Sequence, residues 1–347
     1  MASETHRNGF TALRLLCAFC VLFTHSYALL GDRSEPLFRM SGLVAFGSVG
    51  VDGFFAISGF LVCSSLLRNP SAPAYLRNRL LRLLPALIVL VLALVLILGP
   101  LATSAPDYWR DPATWRFLGT VTIYGVQQHL PGVFADNPDP LVDGSLWTLP
   151  MELTCYLLLL ALHRCRLLTV RGLGSLAVLL LALHLGGVFP PHRLLMRMDV
   201  MRLDRFAVLF FSGALLGVLK DRIPYGLAWA GWAFLLIVIA SLPQRPALFE
   251  LIYLPVLPHL LICLGRSLSR AAWLNEWDAS YGVYLYGYPV QQCLIAAFGA
   301  CIGTAGLTLI AAPVTLLLGL LSWRFIERPA LSLKHDPFGH EFALPRH

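Results

Sequence analysis

The chain has 347 residues, of which 57% are hydrophobic and 13% are charged. Soluble globular domains carry about a quarter charged residues, so this composition excludes an ordinary soluble enzyme, a disordered chain and a nucleic-acid-binding domain. The formal net charge of +7 comes from 26 Lys and Arg against 19 Asp and Glu. In a membrane protein such a basic excess reflects cytoplasmic loops, so we expect no nucleic-acid partner.

Apolar runs separated by Pro, Gly and charged residues predict ten transmembrane helices and therefore an all-α polytopic membrane fold. One membrane domain is predicted for residues 1–330, followed by a short cytoplasmic tail at 331–347. The predicted spans cover residues 10–30, 42–67, 83–101, 145–163, 173–189, 204–219, 225–241, 246–264, 279–299 and 304–326.

The distribution of basic residues predicts the orientation of these spans. With a cytoplasmic N-terminus, 16 of the 26 Lys and Arg fall on the cytoplasmic side, as the positive-inside rule requires. The longest loop, 102–144, carries five aspartates and two arginines and is predicted to lie outside. Both termini are therefore expected in the cytoplasm.

Ionisable residues within predicted spans are functional candidates because they are costly in a membrane. Arg14 and His25 are eleven residues apart in the first span, which places them on one helix face about 16 Å apart. Glu152 in the fourth span is predicted at the depth of His25. A His–Glu pair suits proton transfer. The alternatives are a snorkelling arginine at Arg14, a histidine satisfied by a neighbour at His25 and a structural ion pair at Glu152.

Three further regions carry candidate residues. Asp52 lies in a glycine-rich second span, where a small-residue packing seam is the alternative. Arg79 and Arg82, in the predicted cytoplasmic loop before the third span, share a face and suit phosphate, although they also fit an ordinary positive-inside anchor. Glu327 ends the last span at their level and is predicted either to brace an arginine or to be a solvated helix end.

The remaining histidines and the cysteines predict no chemistry. The histidines expected to be packing residues without a matched partner are His163, His184, His192 and His259. The eight cysteines lie in or beside apolar runs, so we expect buried small hydrophobic residues, with no metal site and no disulfide framework.

Together these segments, in this order, resemble the acyltransferase-3 family of integral membrane O-acyltransferases. The resemblance covers about residues 10 to 330. Its matching pieces are Leu13-Arg14 with His25, Gly50-Val51-Asp52-Gly53-Phe54-Phe55-Ala56-Ile57-Ser58-Gly59-Phe60-Leu61, Arg79-x-x-Arg82-x-x-Pro85, Ser145-Leu146-Trp147-Thr148-Leu149-x-x-Glu152, Ser280-Tyr281-Gly282-Val283-Tyr284-Leu285-Tyr286 and Phe325-Ile326-Glu327-Arg328-Pro329.

The resemblance implies a ten-helix enzyme of the bacterial inner membrane. Such an enzyme transfers an acyl group, often acetyl, from cytoplasmic acyl-CoA to a hydroxyl of a glycan, a lipid-linked sugar or another small acceptor. Acyl-CoA is then a substrate, and no bound cofactor or metal is expected. The resemblance places the catalytic histidine on His25, the functional arginine of the first helix on Arg14, the Arg-x-x-Arg pair on Arg79 and Arg82, the acidic residue of the tryptophan motif on Glu152 and the terminal carboxylate on Glu327. Our hypothesis is that His25 and Glu152 act together in catalysis, with Glu152 orienting the imidazole. It assigns acyl-CoA binding to Arg14, Arg79, Arg82 and Glu327, and acceptor or oxyanion positioning to Asp52, Ser58, Trp147 and Tyr284.

Some features depart from the family pattern. Gly287 stands where many relatives have a histidine, and Thr148 and Pro150 replace commoner residues; Pro150 is expected to break the helix there. The main alternative function is a proton-coupled transporter built on the same embedded charges. A flippase for an acyl carrier and a non-catalytic membrane sensor are further alternatives.

Overall fold

Our computed structural model describes residues 9–190, 194–195, 198–268, 274 and 276–333. His192 and residues 334–347 of the predicted tail lie outside them. The helices are α1 Phe10–Leu29, α2 Pro36–Ser41, α3 Phe46–Arg68, α4 Ala72–Ala93, α5 Gly99–Ala102, α6 Pro112–Arg116, α7 Leu149–Arg164, α8 Val170–Leu185, α9 Val200–Val218, α10 Leu227–Ser241, α11 Pro246–Ser267, α12 Ser280–Phe298, α13 Gly303–Ser322 and α14 Arg328–Ser332. The two short strands Leu194–Leu195 and Met198–Asp199 pair antiparallel.

Each of the ten predicted spans coincides with a helix, so the all-α prediction is confirmed. π-helical turns join α4 to α5 and α13 to α14, which gives two helices of 31 and 30 residues. Within the described residues, six helices are long and apolar enough to cross a membrane, namely Phe10–Leu29, Phe46–Arg68, Ala72–Ala102, Leu146–Arg164, Pro246–Ser267 and Gly303–Ser332. The helices α8 and α10 are apolar but shorter, and α9 and α12 carry charged or amide side chains.

The helix α4 begins eleven residues earlier than the predicted span at 83–101. Ser71 caps it by accepting a hydrogen bond from the Ala74 amide, and Pro85 lies inside it. A proline within a membrane helix removes one hydrogen bond without ending the helix. Arg79 and Arg82 therefore lie on α4, and the prediction of a loop there is wrong.

The centre of the bundle is formed by α3, which packs between α1 and α9. Gly59 of α3 faces the backbone of α9, and Gly213 of α9 faces the backbone of α3. These glycines let the two helices approach closely, as small residues do between membrane helices. At the periphery α10 exposes large apolar side chains, including Trp232 and Phe234 at 66% and 59% exposure, which suits contact with lipid.

The long segment between α5 and α7 folds back onto the bundle. Asn137 Nδ2 donates a 2.8 Å hydrogen bond to Gln292 Oε1, and Gln292 Nε2 donates to the carbonyl oxygen of Leu141 at 2.5 Å. These contacts attach the segment to α12. They bring the loop carboxylates Asp139 and Asp143 close to the helices that carry the candidate site.

Candidate active site

A cavity of about 260 Å³ lies among α1, α3, α4, α7 and α12. We call it the arginine cavity, because three arginines line it. Six of the predicted site residues meet there: Arg14, Ser58, Arg79, Arg82, Glu152 and Tyr284.

Two of the three arginines share one buried carboxylate. Asp278 Oδ2 lies 2.9 Å from Arg82 Nη2 and 3.1 Å from Arg14 Nη1. Burial alone raises the pKa of Asp278, but Arg82 and then Arg14 outweigh it and bring that pKa down to about 2. Arg82 Nη1 also lies 3.2 Å from Glu327 Oε2, so Glu327 braces one of the predicted arginines.

Arg79 is placed differently, although it lies one helical turn from Arg82. Its guanidinium carbon lies 5.7 Å from the centroid of the Tyr156 ring. Within the described part of the chain, no carboxylate forms an ion pair with Arg79, and its buried Nε has no hydrogen-bond partner. The two predicted phosphate-binding arginines therefore differ, because Arg82 is neutralised and Arg79 keeps its hydrogen-bonding capacity.

Glu152 belongs to the arginine cavity. Its Oε1 accepts hydrogen bonds from Ser58 Oγ at 3.4 Å and from the hydroxyl of Tyr156. Among the described residues no hydrogen bond or ion pair joins Glu152 to His25, so the predicted His25–Glu152 pair is wrong. The two residues line different cavities, because the face of α7 that carries Glu152 turns toward Ser58 and not toward His25.

Pro150 occupies the first turn of α7. The amide of a residue in that turn has no partner within the helix, so a proline there costs little. The predicted role of Pro150 as a break is therefore wrong, because it lies where the helix starts.

The second cavity encloses about 380 Å³ between α1, α3 and α9. We call it the histidine cavity, because His25 lines it together with the predicted residues Asp52, Trp147 and Tyr284. The imidazole of His25 packs edge-on against Tyr288, with ring centroids 5.1 Å apart. The hydroxyl of Tyr288 donates a 3.0 Å hydrogen bond to Asp139 Oδ2.

Tyr284 and Val51 line both cavities. The Tyr284 hydroxyl lies 2.6 Å from Thr148 Oγ1 and donates a 2.8 Å hydrogen bond to the carbonyl oxygen of Ser145. The Phe54 ring packs against it at 5.5 Å. Tyr284 thus stands between the two cavities and ties α12 to the turn that precedes α7.

Asp52 is already paired with groups of α9 and α11. Its Oδ2 lies 2.7 Å from Arg205 Nη2 and accepts a 2.9 Å hydrogen bond from the Tyr253 hydroxyl. Arg205 Nη1 lies 2.7 Å from Glu250 Oε1. Asp52 lies in the cavity as predicted, with its charge compensated by Arg205.

His184 extends the same network. Its Nδ1 lies 3.2 Å from Asp204 Oδ2 and its Nε2 lies 3.3 Å from Glu250 Oε2. The prediction that His184 lacks a matched partner is wrong. Asp204 is in α9 and Glu250 is in α11, and no sequence pattern indicated that these helices pack beside α8.

Trp147 forms part of the wall of the histidine cavity. Its ring packs at 5.8 Å from the ring of Phe206, and the guanidinium carbon of Arg202 lies 4.7 Å from its centroid. Arg202 and Phe206 are both in α9, one turn apart. The tryptophan therefore connects the turn before α7 to the first turns of α9.

Sequence comparison decides the family. Residues 7–324 match the profile of the acyltransferase-3 family, which is described as an acyltransferase domain. The chain belongs to the acyltransferase-3 family. The resemblance drawn from the motifs is confirmed, and membership supports membrane acyl transfer as the activity.

Two relatives match along almost their full length. The chain is similar to Nodulation protein 10 of Rhizobium leguminosarum bv. viciae, with 31% identity over 96% of this chain and 95% of that protein. It is also similar to an O-acetyl transferase of Shigella phage Sf6, with 26% identity over 94% of this chain and 96% of that protein. No solved structure matches the chain.

Within this acyltransferase fold, sequence reasoning missed several residues of the site. Asp278 precedes α12 and accepts a 2.5 Å hydrogen bond from Ser280 Oγ, an Asp-x-Ser pattern typical of a helix start. That pattern was the available signal. No sequence signal indicated that Asp139 pairs with Tyr288, because this contact depends on how the long loop folds back onto the bundle.

Proposed function

We propose that the protein is a ten-span O-acyltransferase of the bacterial inner membrane with both termini in the cytoplasm. It transfers an acyl group, acetyl in the simplest case, from acyl-CoA to a hydroxyl of a glycan, a lipid-linked sugar or a related small acceptor. One observation carries the proposal: a cavity with an available arginine and a cavity with a histidine adjoin at Tyr284.

Arg79 is the residue best placed to bind the donor. The phosphates of CoA are anionic, and a guanidinium fork binds phosphate with two parallel hydrogen bonds. Arg14 and Arg82 are compensated by Asp278 and Glu327, so they shape the cavity and contribute less net charge. Arg79 can therefore form the principal phosphate contact.

The remaining length of the donor fits the distance to the histidine. Arg14 and His25 are separated by about 16 Å along α1 at 1.5 Å per residue, which is comparable with an extended pantetheine arm. Glu152 lies along this route, where its carboxylate can accept hydrogen bonds from the pantetheine amides. In this proposal Glu152 positions the donor.

The chemistry takes place beside His25. Its imidazole accepts the proton of the acceptor hydroxyl while that oxygen attacks the carbonyl carbon of the thioester. The carbon–sulfur bond breaks, and the proton passes to the leaving sulfur, which departs as CoA thiol. Tyr288 holds one edge of the imidazole, and Tyr284 lies where the thioester must pass. Such base catalysis contributes about 10²–10⁴-fold.

The acceptor enters from the histidine cavity. With the predicted orientation, this cavity lies toward the outer end of α1, and the arginine cavity lies toward the cytoplasm, where acyl-CoA is made. The similarity to an O-acetyl transferase of Shigella phage Sf6 supports acetyl as the group transferred.

The test uses the purified full-length protein in detergent, with labelled acetyl-CoA and a crude envelope glycan fraction. We expect the amount of CoA thiol released to equal the amount of labelled acetyl that is transferred to the glycan. His25→Ala should lose both, whereas His163→Ala, a half-buried histidine at the end of α7, should keep both. Equal turnover by His25→Ala would remove His25 from the mechanism.

The same assay separates the main alternative. A proton-coupled transporter consumes no acetyl-CoA and requires a gradient across a closed vesicle. Absence of acetyl-CoA consumption, with gradient-dependent uptake in proteoliposomes, would overturn the acyltransferase proposal.

A further inference from the structure

The histidine cavity contains a second arginine whose surroundings differ from those of Arg205. Both residues line the cavity and both are in α9. Arg205 lies 2.7 Å from Asp52 and 2.7 Å from Glu250, so its charge is compensated twice. Within the described ranges, no carboxylate forms an ion pair with the side chain of Arg202.

Contacts on two sides fix the position of Arg202. The Asp199 carboxylate accepts a 3.1 Å hydrogen bond from the backbone amide of Arg202 and so caps α9. The guanidinium carbon lies 4.7 Å from the centroid of Trp147, a cation–π contact. Phe206 packs against that tryptophan at 5.8 Å. The guanidinium therefore lies against the Trp147 ring on one side, while the residue as a whole is exposed and a ligand can reach it; the ring contact reduces the entropy lost on binding.

A positioned guanidinium without a carboxylate partner suits one class of ligand. Its fork of N–H donors matches a carboxylate or a phosphate, and charge-assisted hydrogen bonds are about twice as strong as neutral ones. His25 and Arg202 line the same cavity, so one ligand can present a hydroxyl to the imidazole and an anionic group to the guanidinium.

From this geometry we infer that the acceptor carries a carboxylate or phosphate group that binds Arg202. This inference rests on the proposed function and specifies its acceptor as an acidic sugar or a sugar phosphate. Trp147 is then a positioning residue for Arg202. If Arg202 only covered the face of the Trp147 ring, kcat/KM would not depend on the charge of the acceptor.

The experiment compares sugars that differ in one group. Methyl glucoside, methyl glucuronide and the 6-phosphate of methyl glucoside are offered with acetyl-CoA, and kcat/KM is measured for each. We expect at least one anionic sugar to exceed the neutral one by about tenfold or more, the value of one charged hydrogen bond. The carboxylate and phosphate arms identify which anion is preferred.

The variants test whether Arg202 causes that preference. Arg202→Gln should bring the ratio of anionic to neutral kcat/KM to about one, and Arg202→Lys, which keeps the charge but not the fork, should retain part of it. Arg110→Gln is the matched control, because Arg110 is 88% exposed and pairs with Asp107. Its ratio should equal that of the unmodified protein.

Three outcomes would overturn the inference. The first is a ratio of anionic to neutral kcat/KM near one in the unmodified protein. The second is acetylation of envelope glycans with no transfer to either anionic sugar, and the third is a ratio that Arg202→Gln leaves unchanged. Acetyl-CoA turnover with envelope glycans is followed in parallel, so failure of this inference is distinguished from failure of the acyltransferase proposal.

Discussion

The arginine cavity and the histidine cavity both contain a compensated ion pair, which is Arg205 with Asp52 in the histidine cavity, but they differ in how their proposed functional residues are paired. In the arginine cavity, Asp278 lies within 3.1 Å of both Arg14 and Arg82, and the cluster joins three separate parts of the chain. In the histidine cavity, His25 packs against the Tyr288 ring. A carboxylate reaches that histidine indirectly, through the hydrogen bond between Tyr288 and Asp139.

This difference indicates a division of work. Compensated charges fix the shape of the arginine cavity and leave Arg79 available. An imidazole among aromatic and small side chains can accept and release a proton without a permanent ion pair to break. The predictions below test this division, beginning with the largest expected effect.

Arg82→Gln should destabilise the protein strongly. The substitution leaves Glu327, whose side chain is 2% exposed, without the 3.2 Å contact to Arg82, which is itself 11% exposed. Breaking a buried ion pair on one side costs roughly 3–5 kcal/mol. Thermal unfolding in detergent should show a large fall in Tm. Arg79→Gln is the control, and an equal fall for it would contradict the distinction between the two arginines.

Asp143 offers the counterpart of Asp278, a buried carboxyl without a cation. Its Oδ1 accepts hydrogen bonds from the Ser145 amide and hydroxyl at 2.8 and 2.6 Å, while Oδ2 has no partner in the described part of the chain. Burial raises the pKa of Asp143 to about 7 against the opposing effect of Ser145. The folded protein therefore binds this proton more tightly than the unfolded chain does.

The sign of the pH dependence follows from this raised pKa. An unfolded aspartate has a pKa of about 3.9, so stability is lost as pH rises from about 4 through about 7. Between pH 6 and pH 8 the unmodified protein should lose about 1.4 kcal/mol relative to Asp143→Asn. Unfolding of both proteins at these two pH values measures the difference, and parallel pH profiles would show that Asp143 ionises normally.

Tyr284→Phe should weaken the boundary between the cavities. The variant loses the contacts to Thr148 Oγ1 and the Ser145 carbonyl, worth about 1 kcal/mol. We expect the share of CoA released without acceptor acetylation to rise about fivefold. Tyr286→Phe is the control, because that hydroxyl contacts Ser322 on α13. If Tyr284→Phe released CoA only together with acetylation of the acceptor, as the unmodified protein does, Tyr284 would not separate the two cavities.

The sequence was sufficient for the helices and for much of the lining of the arginine cavity. Apolar periodicity located ten helices, and motif spacing selected Arg14, Arg79, Arg82 and Glu152, which the fold brings together. These residues lie near helix ends or on one helix face, where local spacing determines position. The start of α4 was missed because the apolar run begins only after Arg82, although the helix extends back through Arg79 and Arg82 to Ala72.

The pairings could not be predicted, because they depend on helix rotation and on loop folding. His25 and Glu152 are at similar predicted depths in the membrane, which suggested that they are in contact. The depth of a residue does not determine the direction in which its helix face points. Arg205 and Asp52 are 153 residues apart, and Asp278 comes from outside any span. The first contact follows from how α3 and α9 pack, and the contacts of Asp278 follow from how the segment before α12 lies against α1 and α4.

The most direct test of the account is the dependence of acetyl transfer on acetyl-CoA concentration in Arg79→Gln and His25→Ala, measured side by side. The account predicts that Arg79→Gln raises KM for acetyl-CoA about tenfold or more and largely keeps kcat. It predicts that His25→Ala lowers kcat by about 10²–10⁴-fold and largely keeps KM. If both variants changed KM and kcat in the same way, the proposal that acyl-CoA binds in the arginine cavity while the reaction takes place beside His25 would be contradicted.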